Sequence, residues 1–401
     1  MTEKFTGSFT QQEPIPDDAI EAALAVMRHG RLHRYNLEPD EAGEVALLEQ
    51  EFATLTGAKY CLAVASGGYA MATALRALGV GPGDKVLTNA FTLAPVPGAI
   101  ASLGAQPVLV EVTDSLVIDL IDLKDKISSS GAKTLLLSHM RGHICDMDKL
   151  MDICNGAGVS VVEDCAHTMG ASWAGTPSGR HGAVACYSTQ TYKHLNSGEG
   201  GLMISDDADL MARATLLSGS YMLFERHGAS PPAKAFEAAK YDMPNISGRM
   251  DNLRAAILRP QLRRLADQCQ AWNQRYLLVE AGLRNTPGLK LIERPASEAF
   301  VGSSIQFLLA GWSGSDVCKV LAKCADRGVE LKWFGADQPV GFTSKYDNWH
   351  YMSPPPMPQT EAVLGGLLDM RLPLTFSLED CEQIARIIRA VVSAEFQIQG
   401  A

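Results

Sequence analysis

Between Tyr60 and Ile204 the chain repeats one pattern: a short apolar run, a turn, then a stretch with apolar residues at helical spacing. The runs are Tyr60–Ala65, Lys85–Thr88, Pro107–Val112, Thr134–Ser138, Ser160–Glu163, Val184–Tyr187 and Leu202–Ile204. Most are nearly continuous in apolar residues rather than alternating. A strand that is apolar on both faces must be covered on both, which is the situation of a mostly parallel sheet between two helical layers. Tyr69–Leu78, Leu93–Leu103, Met147–Ala157 and Asp207–Ser218 have the helical spacing that supplies the cover. Two earlier helices, Asp17–Arg28 and Glu41–Thr56, are closed by Gly30 and Gly57. In such α/β sheets ligands bind beyond the carboxyl ends of the strands. The residues that follow each run are therefore the first candidates for a site.

A chain of 401 residues with 46% hydrophobic and 20% charged residues has enough material for a large core. The βα pattern fades near Gly282. Ile305–Leu309, Val329–Trp333 and helices over Ser315–Asp326 and Leu378–Val392 then suggest a smaller α+β domain. We expect a large domain over residues 1–275, including an irregular N-terminal arm, and a small one over 276–401. The boundary falls in or after a long helix running from Asp251 past Val279, with Pro260 as a potential kink. Ser220–Asn245, with Pro231, Pro232 and Pro244, reads as loop, as does Tyr346–Gln359 with its four prolines and three aromatics.

A net charge of −10 disfavours nucleic acid or an anionic membrane as partner, since both require a basic surface, but it leaves anionic small molecules open. No run of ~18 apolar residues is present, so no membrane span is expected. The nine cysteines are scattered, odd in number and without a C-x-x-C pair, and the N-terminal residues have no signal-like apolar core. A reducing, cytoplasmic setting is expected.

The stretch Tyr187–Gly201, Y-S-T-Q-T-Y-K-H-L-N-S-G-E-G-G, places one lysine, Lys193, between two apolar strands. Lysine is seldom buried without a partner. Desolvation disfavours its charged form, and a neutral amine is a nucleophile. The aldehyde such a lysine most often holds is pyridoxal 5'-phosphate (PLP). The plainer alternative is a loop lysine reaching solvent. Other strand ends bear on the choice. Ser66-Gly67-Gly68 lies between a strand and a helix, where backbone N–H groups and the helix dipole favour a phosphate. Asp164 ends the run V-V-E-D; it can keep a pyridine nitrogen protonated, or simply cap the following segment. His167 can hydrogen-bond a cofactor hydroxyl or be an ordinary buried histidine. Phe91 can stack on a planar ring or belong to the core. Ser188, directly after its strand, can donate to a phosphate oxygen. A nicotinamide site is disfavoured, because no G-x-G-x-x-G follows any strand. His139 and His143 flank Arg141 without metal-ligand spacing and are read as non-metal, so no metal is expected.

The runs V-V-E-D-C-A-H-T-M-G-A (161–171) and S-T-Q-T-Y-K-H-L-N-S-G-E-G-G (188–201) resemble those of the DegT/StrS family of PLP-dependent aminotransferases. Ala65–Leu75, Gly248–Ala256 and the L-P-L run Leu372–Leu374 support the resemblance. It implies fold type I, an α/β architecture with a large mostly parallel-sheet α/β/α domain and a smaller C-terminal α+β domain. It implies Lys193 as the Schiff-base lysine, Asp164 at the pyridinium nitrogen, His167 near the 3-hydroxyl and Phe91 at the ring face. Ser66, Gly67, Gly68 and Ser188 are implied around the phosphate. It implies a cytoplasmic homodimer with interfacial active sites, in which Asn245 reaches the neighbour's phosphate. The reaction implied is transfer of an amino group from glutamate or glutamine to a keto sugar nucleotide, a cyclitol ketone or a related ketone in secondary-metabolite or glycan biosynthesis. Two departures stand out. The family's S-G-T is Ser66-Gly67-Gly68 here, and N-x-R-M has become Asn245-Ile246-Ser247-Gly248-Arg249-Met250, with the asparagine displaced by two residues. Relatives that replace the lysine by histidine are sugar dehydratases; this chain keeps the lysine. Another PLP-dependent reaction, a lyase or a dehydration, and a non-enzymatic regulatory homologue are the alternatives.

Overall fold

A computed structural model describes residues 3–38 and 41–399. The apolar runs form a seven-stranded sheet. Its strands are β1 (Tyr60–Val64), β2 (Lys85–Asn89), β3 (Gln106–Val110), β4 (Thr134–Ser138) and β5 (Ser160–Asp164), followed by β8 (Val184–Ser188) and β9 (Gly201–Ser205). Two short strands, β6 (Ser172–Trp173) and β7 (Thr176–Pro177), lie between β5 and β8 in the chain. The order across the large sheet is β1-β9-β8-β5-β4-β2-β3. β2 to β5 and β8 pair in parallel, and β9 runs against both of its neighbours. A tight loop suffices to return the chain from β8 into an antiparallel neighbour, so no crossover helix is needed there.

Helices cover the sheet largely where the spacing places them, including Gly67–Ala77, Pro95–Ala101, Met147–Ala157 and Ala208–Ser218. The helix Leu120–Ser130 carries a weaker signal. It is started by Asp119, whose side chain accepts from the N–H groups of Ile121 and Asp122, and only Leu123 is fully buried on it. The expected long helix is two helices, Asn252–Arg263 and Leu265–Leu283, which meet at Arg264 (φ −98, ψ −1). Pro260 sits inside the first, and the break falls a turn later. The proline-rich tract after Ser220 holds a short helix, Ala233–Glu237.

The C-terminal part has its own antiparallel sheet, built from β10 (Lys290–Leu291), β12 (Ser304–Leu308), β13 (Lys332–Trp333) and β14 (Leu367–Arg371) in the order β10-β12-β14-β13. A further short strand, β11 (Glu298–Ala299), pairs with β6 and so ties this part to the first. The helix Leu265–Leu283 also serves both parts. Trp272 packs into the core beneath the large sheet, whereas Tyr276, Val279 and Leu283 pack into the C-terminal core. The N-terminal arm, read from sequence as irregular and part of the large domain, packs its aromatics elsewhere. Phe5, Phe9 and Phe376 meet edge to face in the C-terminal core, with ring centroids 5.7, 5.0 and 4.9 Å apart.

Candidate active site

Strand register brings the first site residues together. Ser138 pairs with Asp164 between β4 and β5, and Asp164 with Cys186 between β5 and β8. Gly201 pairs with Val64 on one side and Ser188 on the other. A Cβ on Gly201 would run into the backbone of Ser66, so only glycine lets the start of the helix Gly67–Ala77 come this close. A Cβ on Gly67 would stand 2.9 Å from the Cβ of Ser188. The carboxyl ends of β1, β4, β5 and β8 thus converge on one spot.

That spot is a cavity of about 80 Å³ lined by Gly67, Gly68, Ser138, Asp164, His167, Ser188 and Lys193, with Leu93, Met140 and Ala166 among the others. A second cavity of about 510 Å³ opens between the two parts of the molecule and also has His167 and Lys193 in its wall. The lysine therefore stands between a small pocket at the carboxyl ends of the strands and a larger chamber. Its Nζ lies 2.9 Å from Nε2 of His167.

The charges are tuned by burial. Desolvation, reinforced by Arg141 and partly countered by Asp164, brings the Lys193 ammonium down to about 7. Burial raises the Asp164 carboxyl, with Lys193 and a hydrogen bond from Ser138 opposing it. His167 is pushed well below its ordinary value by burial and by Lys193, so it stands neutral. Asp164 is held by its neighbours: Ser138 Oγ donates to Oδ2 at 2.9 Å and the Ala166 N–H to Oδ1 at 3.2 Å. Thr92 Oγ1 in turn donates to Ser138 Oγ at 2.8 Å.

Lys193, Asp164, His167, Gly67, Gly68 and Ser188 all line the small cavity. Ser66 does not: its hydroxyl accepts from the Tyr69 N–H at 3.1 Å and caps the helix Gly67–Ala77, whose first residues do face the cavity. Phe91 does not line the cavity either. It is fully buried and meets Phe334 edge to face at 5.0 Å, because a large ring gains more from that core than from an open pocket. Leu93, two residues on, lines the cavity instead. Asn245 is exposed, and its Oδ1 accepts from the Ser247 N–H at 3.0 Å, shaping its own turn.

Several site residues were not anticipated. Ser138 closes an apolar run, the same signal that marks Asp164, and could have been found by it. Leu93, Thr92, Arg141 and Arg371 have no local signal. Next to the site, His139, Glu163 and Cys165 bring ligand-type atoms within 4.8 Å of one another. The Glu163 oxygens, however, accept from the N–H groups of Gly179, His181 and Gly182 and lie 3.1 Å from His139 Nε2, so this is a knot that fixes the end of β5.

A model of the DegT/DnrJ/EryC1/StrS aminotransferase family matches residues 17–392. The fold is shared with the aminotransferase TlmJ from Streptoalloteichus hindustanus, at a TM-score of 0.80 and 22% identity, covering 96% of this chain and 98% of that one. It is shared with 3-amino-5-hydroxybenzoic acid synthase, at 0.81 and 23% identity over 98% of this chain and 100% of the other. GDP-4-keto-6-deoxymannose-3-dehydratase, solved with a trapped PLP-glutamate geminal diamine, matches at 0.81 and 18% identity over 96% of this chain and 100% of that one. With the family's acid, histidine and lysine gathered in one pocket, the match over nearly the whole chain settles the assignment: this protein belongs to the DegT/DnrJ/EryC1/StrS aminotransferase family.

Proposed function

We propose that this enzyme uses PLP to move an amino group from glutamate or glutamine to a ketone carried by a nucleotide-linked sugar, a cyclitol or a related precursor of secondary metabolites or glycans. One observation carries this: a lysine amine held near neutrality shares a pocket with a buried carboxylate and a glycine cradle at a helix start. The residues fit the group. The cradle has no room for a Cβ at Gly67, and the carboxylate of Asp164 is oriented by Ser138. PLP bound there supplies an electron sink for the charge left on the donor's α-carbon. The N–H groups of Gly67 and Gly68, which have no helical acceptor in the first turn, would hold the phosphate together with Ser188 Oγ. Asp164 would hold the proton on the ring nitrogen, His167 would stand at the 3-hydroxyl, and Leu93 would cover a ring face. Lys193 Nζ, brought by burial to about 7 so that a large share is uncharged near neutral pH, would take a proton from one carbon and return it to its neighbour, with His167 fixing the amine.

We also place the sites at the interface of a homodimer, with Asn245 of one chain at the phosphate of the other. Exposed Tyr221, Met222, Tyr241 and Ile246 around that asparagine support a covered surface. Nine free cysteines, and no helix among the described residues long and apolar enough to cross a membrane, are consistent with a cytoplasmic setting.

The test is to add glutamate to PLP-loaded enzyme and follow the cofactor's visible absorbance, then to offer keto sugar nucleotides and cyclitol ketones and look for the amine. Wild type should lose the absorbance and form amine, and Lys193→Ala should do neither. Turnover by Lys193→Ala at the wild-type rate would remove the lysine from this role. Loss of water from a sugar with no amine gained would point to a dehydration instead.

A further inference from the structure

The larger chamber carries positive charge that cofactor binding does not use. Four arginines line it: Arg141, Arg264, Arg275 and Arg371. Its acidic lining residues, Glu13 and Asp267, are exposed. Arg264 is paired with Asp18 at 2.9 Å, and Arg275 donates to the main-chain carbonyls of Ala271, Leu374 and Phe376. Arg141 and Arg371 are different.

Arg141 is buried and has a left-handed backbone (φ 54, ψ 24), a conformation that costs a non-glycine residue about 1–2 kcal/mol. One guanidinium nitrogen lies 2.9 Å from Asp369 Oδ2, but its Nε has no partner. Asp369 and Arg371 are two residues apart on β14 and so share a face of the small sheet. Asp369 Oδ1 accepts from Gln306 Nε2 at 2.7 Å, and its Oδ2 faces Arg141 as an ion pair that lacks hydrogen-bond geometry. Arg371 is left without a hydrogen-bond or ion-pair partner among the described residues. Its guanidinium lies 4.1 Å above the ring of Tyr192, the residue preceding Lys193. Stacking of this kind engages the flat face of the guanidinium and leaves its N–H edges in the plane available, the geometry that receives an oxyanion with two parallel hydrogen bonds. Lys332 adds positive charge nearby, since its side chain and that of Arg371 line an adjoining cavity.

We propose that Arg371, backed by Arg141, binds a carboxylate of the substrate in the chamber beside Lys193. This rests on the aminotransferase reading, because that reading supplies the reactant. Two reactants can bring the carboxylate: the amino-acid donor, or a ketone that is itself an acid. In either case the fixed guanidinium would set the reacting carbon against the lysine.

The experiment uses PLP-loaded protein and glutarate, a dicarboxylate with no amine to transfer. Calorimetry should show glutarate binding to wild type, weakened about tenfold or more in Arg371→Gln and less in Arg371→Lys, which keeps the charge but loses the fork. Thermal midpoints within about 3 °C of wild type would show that both variants are folded. In the half-reactions, the saturation constant should rise for the reactant that bears the carboxylate, glutamate or the ketone, with the rate at saturation changed far less. Equal glutarate affinity in wild type and Arg371→Gln, or none in wild type, would overturn the proposal even if the enzyme transaminates normally. Arg371-dependent glutarate binding without amine transfer would keep this site and sink the transamination reading.

Discussion

A lysine amine brought to about 7 in the folded protein, from 10.5, binds fewer protons than the unfolded chain between those two values. Stability therefore rises with pH across that window, and below it the penalty for charging the buried amine is present in full. In cofactor-free protein, Lys193→Met should flatten the rise of unfolding free energy between pH 7 and 10.5 and stabilise the fold at neutral pH, as read by urea titration at several pH values. The role proposed for Asp164 is chemical. Asp164→Asn keeps the shape but not the charge, and should lower kcat with glutamate about 10²-fold or more at saturating PLP. An undiminished kcat would show that no proton is held there. These two residues were legible in the sequence because each breaks a rule of its surroundings: a lysine between buried strands, and an acid at the end of an apolar run. Phe91 breaks no rule, since an aromatic after a strand suits a core as well as a ring face, and only the packing against Phe334 decides between them. Arg141 and Arg371 are far apart in the chain and meet through Asp369, a relation that no local pattern contains.

At the scale of elements, the site depends on how closely the start of helix Gly67–Ala77 approaches the end of β8. Gly67→Ala sets a methyl 2.9 Å from the Cβ of Ser188, so one of the two elements must move, whereas Gly68→Ala meets Pro95 at 3.8 Å and Ser66 Oγ at 4.0 Å, both ordinary contacts. Titration with PLP should show a clear loss of affinity in Gly67→Ala and a smaller one in Gly68→Ala. The reverse order would mean that the cradle is not where the phosphate sits. The strands of the large sheet were readable because burial on both faces leaves them nearly continuously apolar. Leu120–Ser130 was not, because it buries one side chain fully and leaves Ile121 exposed to solvent. β14 was missed for a related reason: its charged residues, Asp369, which is buried against Arg141, and Arg371, which lines the chamber, interrupt the apolar run that would have announced it.

Across the whole molecule, the two parts are joined by a charge as well as by apolar contacts. Asp369 is fully buried on the small sheet and neutralises Arg141, which follows the end of β4 in the large one. Asp369→Ala strands a buried guanidinium and should destabilise the protein by about 3–5 kcal/mol in denaturant titration. Phe9→Ala, which empties one corner of the aromatic trio, should cost a similar ~3–5 kcal/mol. A value below about 1 kcal/mol for Phe9→Ala would mean that the arm is only loosely attached. That trio also has a bearing on biosynthesis. Phe5 and Phe9 leave the ribosome long before Phe376, so these two rings wait without their partner while the large sheet, whose strands lie between them in the chain, can assemble.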